Sequence, residues 1–129
     1  MDGPVVLLVE DQAVELMVAQ EALEAGGYSV LIAQDGADAT TILDAQAANL
    51  AGLITDIQLG DDPDGWEIAR HARKLRPDLP IVYMTGDSAA DWSVHGVPSS
   101  VVVQKPYAPA QLITAVSTLM TAADTNRAS

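Results

Sequence analysis

The chain has 129 residues, 49% of them hydrophobic, which predicts one ordered domain and excludes wholesale disorder. A chain of this length buries roughly two-thirds of its unfolded surface. Its 18 acids against 6 Lys and Arg give a net charge of −12, which argues against direct nucleic-acid or membrane binding, because an acidic surface repels phosphate backbones and anionic lipid. There is no cysteine, so disulfides and thiolate metal sites are excluded and the compartment is left open by that criterion.

The elements alternate along the chain. A first strand, about Val5 to Val9, leads into a helix from about Gln12 to Ala25, with Val14, Val18, Ala22 and Ala25 read as its inward face. Gly26-Gly27 ends that helix, as suits a left-handed C-terminal residue. Tyr28 to Ala33 reads as a second strand, and Asp35-Gly36 opens a second helix reaching about Ala47. A third strand, Leu50 to Thr55, precedes a Gly-, Asp- and Pro-rich turn from Leu59 to Asp64. Asp64-Gly65-Trp66-Glu67 has the spacing of a capping box and starts a helix to about Leu75. Pro77 and Pro80 then close it before a fourth strand beginning at Ile81.

Asp87 to His95 allows a short helix, cut off by Gly96 and Pro98. Val101 to Gln104 is the fifth strand, and a last helix starts near Pro109 and continues through Met120. Residues 1–123 are expected to form the domain, with 124–129 a polar, fraying tail. Met1 as an initiator and that polar end favour a whole protein over an excised domain. Strict strand–helix alternation predicts an α/β fold, a doubly wound five-stranded parallel sheet with five flanking helices. No signal peptide or membrane-length apolar stretch is present, which makes a soluble cytoplasmic protein the default.

The strand ends carry the chemistry. Apolar runs terminate in Glu10-Asp11, in Asp56, in Thr85 and in Lys105-Pro106, and parallel sheets gather ligands at the carboxyl ends of their strands. Glu10, Asp11 and Asp56 offer hard oxygen ligands without imidazole or thiolate, a set that selects Mg²⁺ or Mn²⁺ over Zn²⁺. Such an ion meets phosphoryl groups, and a lysine ammonium and a threonine hydroxyl are suited to the remaining phosphoryl oxygens. Asp56 stands alone after its strand and is the best candidate acceptor, by aspartyl-phosphate chemistry.

With these residues in order, the chain resembles the receiver domain of two-component response regulators over about Val5 to Leu119. The resemblance implies the flavodoxin-like strand order 2-1-3-4-5, with Asp56 as phosphoacceptor and Thr85 and Lys105 as the switch and phosphoryl-stabilising residues. It implies a metal held directly by Asp11 and Asp56, by Glu10 through water and by the Gln58 carbonyl. The family's usual aromatic near the end of the fifth strand is replaced by Val102. However, Tyr83-Met84-Thr85-Gly86 and Lys105-Pro106-Tyr107 resemble a subgroup, many of whose members stand alone. Tyr83 and Tyr107 are therefore candidates for a secondary switch or output role.

The expected function is a receiver without an output domain, phosphorylated by a sensor histidine kinase or a histidine-phosphotransfer protein and acting on a downstream protein by contact. Leu16, Met17 and Pro106 are candidates for docking the histidine-phosphotransfer partner, which the resemblance places on this helix and the loop after strand 5, with a broad core contact the competing reading of the first two. Trp66 and Trp92 read as packing residues, and His71 and His95 as surface residues rather than ligands. Three other functions remain open. A pseudo-receiver would bind partners without phosphorylation. A flavin-binding protein would need a Ser/Thr-rich phosphate loop where Glu10-Asp11 stands, and an aspartate-nucleophile phosphatase would need an acid at Gln58.

Overall fold

The computed structural model describes residues 3–60, 64–87 and 89–128, the last five by their backbone alone. Strands β1 (Val5–Val9), β2 (Ser29–Ala33), β3 (Gly52–Asp56), β4 (Ile81–Thr85) and β5 (Ser100–Gln104) form a parallel sheet in the order β2-β1-β3-β4-β5. The intervening helices are α1 (Ala13–Ala25), α2 (Gly36–Gln46), α3 (Gly65–Leu75), α4 (Trp92–His95) and α5 (Pro109–Ala128). Parallel neighbours need crossover connections, and the helices supply them. Helices α1 and α5 pack together on one face of the sheet, and α2 and α3 on the other.

Strand alternation sorts the core into those two faces. Leu7, Val9, Leu53, Ile81 and Tyr83 join the α2–α3 side, whereas Val6, Leu8, Ile54, Val82 and Met84 join the α1–α5 side. Every residue of β3 and β4 is buried, which is why both read as unbroken apolar runs. Pairings of Val9 with Thr55, Asp56 with Met84 and Thr85 with Gln104 bring the strands to a common rim. Backbone bonds continue past it: Ile57 N–H donates to Met84 at 3.0 Å and Lys105 N–H to Thr85 at 2.7 Å.

Local signals set the helix ends. Asp35 caps α2 by accepting the Asp38 N–H at 2.7 Å, and the expected Asp64–Glu67 capping box opens α3. Gly27, with φ of 98°, turns the chain out of α1 as expected. Leu50 and Ala51 fall before β3, in the exit from a 3₁₀ turn over Ala47–Asn49. The Asp87 to His95 segment yields a 3₁₀ turn at Ala89–Asp91 and the single helical turn of α4. Asp61, Asp62 and Pro63 of the turn before α3, together with Met1 and Ser88, lie outside the described residues.

Two expectations are corrected. The inward face of α1 is Leu16, Ala19, Ala22 and Leu23, while Val14 (73% exposed), Met17 (58%) and Val18 point outward and Ala25 is exposed. At about 100° per residue, positions 14, 17 and 18 share the side opposite 19 and 23. Leu16 is thus a core contact of α1, and Met17 is the surface residue of that pair. Helix α5 also runs past Ala123 to Ala128 in its backbone, so the polar composition after Ala123 does not mark its end.

Gly65 makes a close approach that the site depends on. A Cβ there would overlap the Asp56 carbonyl oxygen and lie 2.7 Å from Ile57 Cα, and the Gly65 N–H donates to the Ile57 carbonyl at 2.9 Å. Gly65→Ala should therefore push α3 off the end of β3 and cost about 1–3 kcal/mol, read by urea unfolding. An unchanged midpoint would show that the contact relaxes freely.

Candidate functional site

The level strand ends deliver Glu10, Asp56, Thr85 and Lys105 to one rim, where Asp11 and the residues after β3 complete a cleft of about 450 Å³. The Lys105 ammonium lies 3.0 Å from Glu10 Oε1 and 3.3 Å from Asp56 Oδ2. It also reaches Glu15 Oε1, on the first turn of α1, at 2.5 Å. The other Glu10 oxygen accepts the Gln12 N–H at 3.2 Å, and Asp11 Oδ2 accepts the Gly60 N–H at 3.1 Å. The Gln58 backbone N–H bonds the Asp56 carboxylate, while Gln58 itself lines the cleft. Thr85 is buried at the end of β4, and its hydroxyl accepts the Asp87 N–H at 3.3 Å.

Burial dominates the electrostatics. Glu10 is 0% exposed, and desolvation together with the Asp56 charge pushes its carboxyl up to about 7, against the lowering pull of Lys105. Desolvation raises Asp56 too, opposed first by the charge of Lys105. Burial of Lys105 works to lower its pKa, but hydrogen bonds to Glu15 and Glu10 and the charge of Asp56 outweigh it and hold the ammonium protonated. Carboxylate oxygens of Glu10, Asp11 and Asp56 lie within 4.8 Å of one another. That all-oxygen set, with one acid already short of countercharge, fits a hard divalent cation such as Mg²⁺ or Mn²⁺.

The two tyrosines part company. Tyr83 is fully buried, its ring centroid 4.7 Å from that of Trp66, and its hydroxyl accepts the Val97 N–H at 3.1 Å. Tyr107 is half-buried and lines a second groove, of about 410 Å³, with Val14, Val18, Lys105 and Pro106. Burial raises both phenols. Trp66 and Trp92 pack as expected, Trp92 also donating its ring N–H to Ser100 at 3.0 Å. His71 pairs with Asp44 at 2.7 Å, and the acidic trio is the metal-capable cluster found among the described residues.

Glu15, Gly60 and Gly65 were not apparent as site residues from sequence. Glu15 left one signal, an acid one helical turn after Asp11 at the start of α1.

A family model for the response regulator receiver domain matches residues 6–117. The chain belongs to the response regulator receiver family. A response regulator receiver protein from Sinorhizobium medicae, solved as a crystal structure, is 41% identical with a TM-score of 0.90 and covers 94% of this chain and 97% of that one. The receiver domain of the sensor histidine kinase PA1611 from Pseudomonas aeruginosa is 25% identical with a TM-score of 0.80, over 92% of this chain and 98% of its own, and holds a magnesium ion in its active site cleft. The alginate biosynthesis transcriptional regulatory protein AlgB of Pseudomonas putida is 34% identical over 109 residues, 83% of this chain. The chain spans 24% of AlgB's length. This protein is accordingly a signalling module of two-component systems, and among the described residues no helix is long and apolar enough to cross a membrane.

Glu10 gives the receiver a pH signature. Its folded value of about 7 stands above the ordinary 4.5, so the folded chain holds an extra proton between the two. Its contribution to stability is complete below the unfolded value and is lost as pH rises through the folded one. Melts with divalent cations chelated should show Tm falling across that window, and Glu10→Gln should flatten the fall. Tyr83→Phe, which strips the buried Val97 N–H of its acceptor, should cost about 1–3 kcal/mol in urea unfolding.

Proposed function

We propose that this receiver takes a phosphoryl group on Asp56 from a histidine of a sensor kinase or phosphotransfer protein, and that the change in charge alters its protein contacts. The observation that carries this reading is the approach of Lys105 to Asp56 within 3.3 Å, beside an acidic trio spaced for one cation. An Asp56 carboxylate oxygen forms the new O–P bond as the N–P bond of the phosphohistidine breaks. The leaving imidazole nitrogen keeps the bonding electron pair and takes a proton from water. Lys105 neutralises one phosphoryl oxygen and the Thr85 hydroxyl donates to another.

Asp11, Asp56 and the Gln58 carbonyl would hold Mg²⁺ or Mn²⁺, with Glu10 acting through water, and the bound ion supplies charge neutralisation for the phosphoryl oxygens. Glu10 suits that water-mediated role, because its buried carboxylate faces the site beside Lys105.

Docking of the phosphodonor is assigned to the groove beside the cleft. Val14, Val18, Pro106 and Tyr107 line it, and exposed Met17 extends the apolar surface along α1. An outward apolar face next to the acceptor suits a helical partner that must bring a histidine to Asp56. The unit that performs this function is residues 1–123, acting in the cytoplasm. As a signalling module it consumes one phosphoryl per activation, and hydrolysis of the acyl phosphate resets it.

Incubation with acetyl phosphate and Mg²⁺ tests the reading. Intact mass should show one added phosphoryl group in the wild type and none in Asp56→Asn or with EDTA. Lys105→Ala should lower the extent of labelling and, by removing the countercharge of buried Glu10 and Asp56, also lower the urea midpoint. Persistent labelling of Asp56→Asn would move the acceptor elsewhere, and an unlabelled wild type would favour a phosphorylation-independent binding module.

A further inference from the structure

The Lys105 ammonium has three N–H donors, and three carboxylates already surround it: Glu10 at 3.0 Å, Asp56 at 3.3 Å and Glu15 at 2.5 Å. A phosphoryl group on Asp56 brings new, more highly charged acceptor oxygens, so one of the existing partners must give way. Glu10 is poorly placed to do so. It is wholly buried, so on turning from Lys105 it has no bulk water to exchange the ammonium for. Asp56 is the carboxylate that receives the phosphoryl group, so it cannot serve as the partner that leaves. Glu15 differs from both, because its side chain is 44% exposed and can exchange Lys105 for water at small cost.

We propose that Glu15 is a positioning residue that holds Lys105 in the unmodified state and competes with the phosphoryl group for it. The proposal rests on the reading of Asp56 as acceptor and adds to it a residue outside the acidic trio. Glu15 reaches the site because α1 presents position 15 at the edge of its inward face, one turn after Asp11. Its competition sets how tightly the site holds a phosphoryl group. Glu15 and Lys105 also line both the cleft and the apolar groove, so their separation changes the charge of the groove wall.

The test is equilibrium binding of beryllofluoride, a phosphoryl mimic, in the presence of Mg²⁺, followed by amide NMR shifts. Glu15→Gln keeps the shape and weakens the competitor, and should bind about two- to fivefold tighter than wild type. The ratio should shrink toward one as salt is raised from about 0.05 to about 0.5 M, which a packing effect would not show. Glu15→Asp keeps the charge but loses a methylene of reach, and should tighten binding nearly as much. Glu15→Ala, on a half-exposed helical position, guards against an effect peculiar to glutamine and should act in the same direction.

Equal or weaker binding by Glu15→Gln overturns the proposal while leaving the acceptor reading intact. Tightening by Gln with wild-type affinity for Asp overturns it as well, since plain repulsion of the anion would then suffice. Absence of binding to the wild type, matching Asp56→Ala, overturns both.

Discussion

One ammonium among three carboxylates is the interaction on which this structure depends. Glu10 and Asp56 are buried, and burial without a countercharge would cost several kcal/mol for each ion. Lys105 relieves both, and it can do so only because β1, β3, β4 and β5 end level with one another. The requirement propagates outward. The Lys105 N–H is bound to the Thr85 carbonyl and the Ile57 N–H to that of Met84, so the rim is backbone-fixed before any side chain is placed. Gly65 then lets α3 pack directly against the Asp56 carbonyl. A slip of one residue in any of these strands would turn its site side chain toward the opposite face.

What the sequence made legible follows from which forces were local. Strands β3 and β4 are buried on both sides, so their apolar runs needed no context to be read, and their terminal Asp56 and Thr85 came with them. The Asp64–Glu67 capping box is equally local. The face of α1 was not. Val14 and Val18 are as apolar as Leu16 and Leu23, and only the position of α5 decides which set is covered. The part of Glu15 in the site was illegible for a related reason: its partner is Lys105, 90 residues away, and an acid at a helix start is ordinarily explained by the helix dipole alone.

The missing aromatic on β5 has a structural counterpart. Val102 is paired in register with Tyr83 on β4, and both belong to the α2–α3 side of the core. The ring beside Val102 is that of Tyr83, one strand inward, where Trp66 packs against it and the Val97 N–H donates to its hydroxyl. A ring so enclosed cannot swing between buried and exposed positions without breaking that bond. Tyr83 lies two residues before Thr85 on β4 and is bonded to Val97, so the end of that strand is joined to the segment around α4.

That segment is held by polar contacts more than by helical propensity, since α4 is a single turn. Arg73 donates to the carbonyls of Leu79 at 2.8 Å, Pro98 at 2.5 Å and Ser99 at 3.1 Å, and Arg70 reaches that of His95 at 3.4 Å. Trp92 adds its bond to Ser100. Trp92 and Val97 tie the segment to the core, while its single helical turn and exposed hydrogen bonds are features of an element that opens more readily than the sheet. The same chain thus pairs a rigid rim, where charge must be placed to within a hydrogen bond, with a loosely fastened neighbour joined to it through β4. The phosphorylation proposed at Asp56 would draw on the first, and the proposed change of protein contacts on the second.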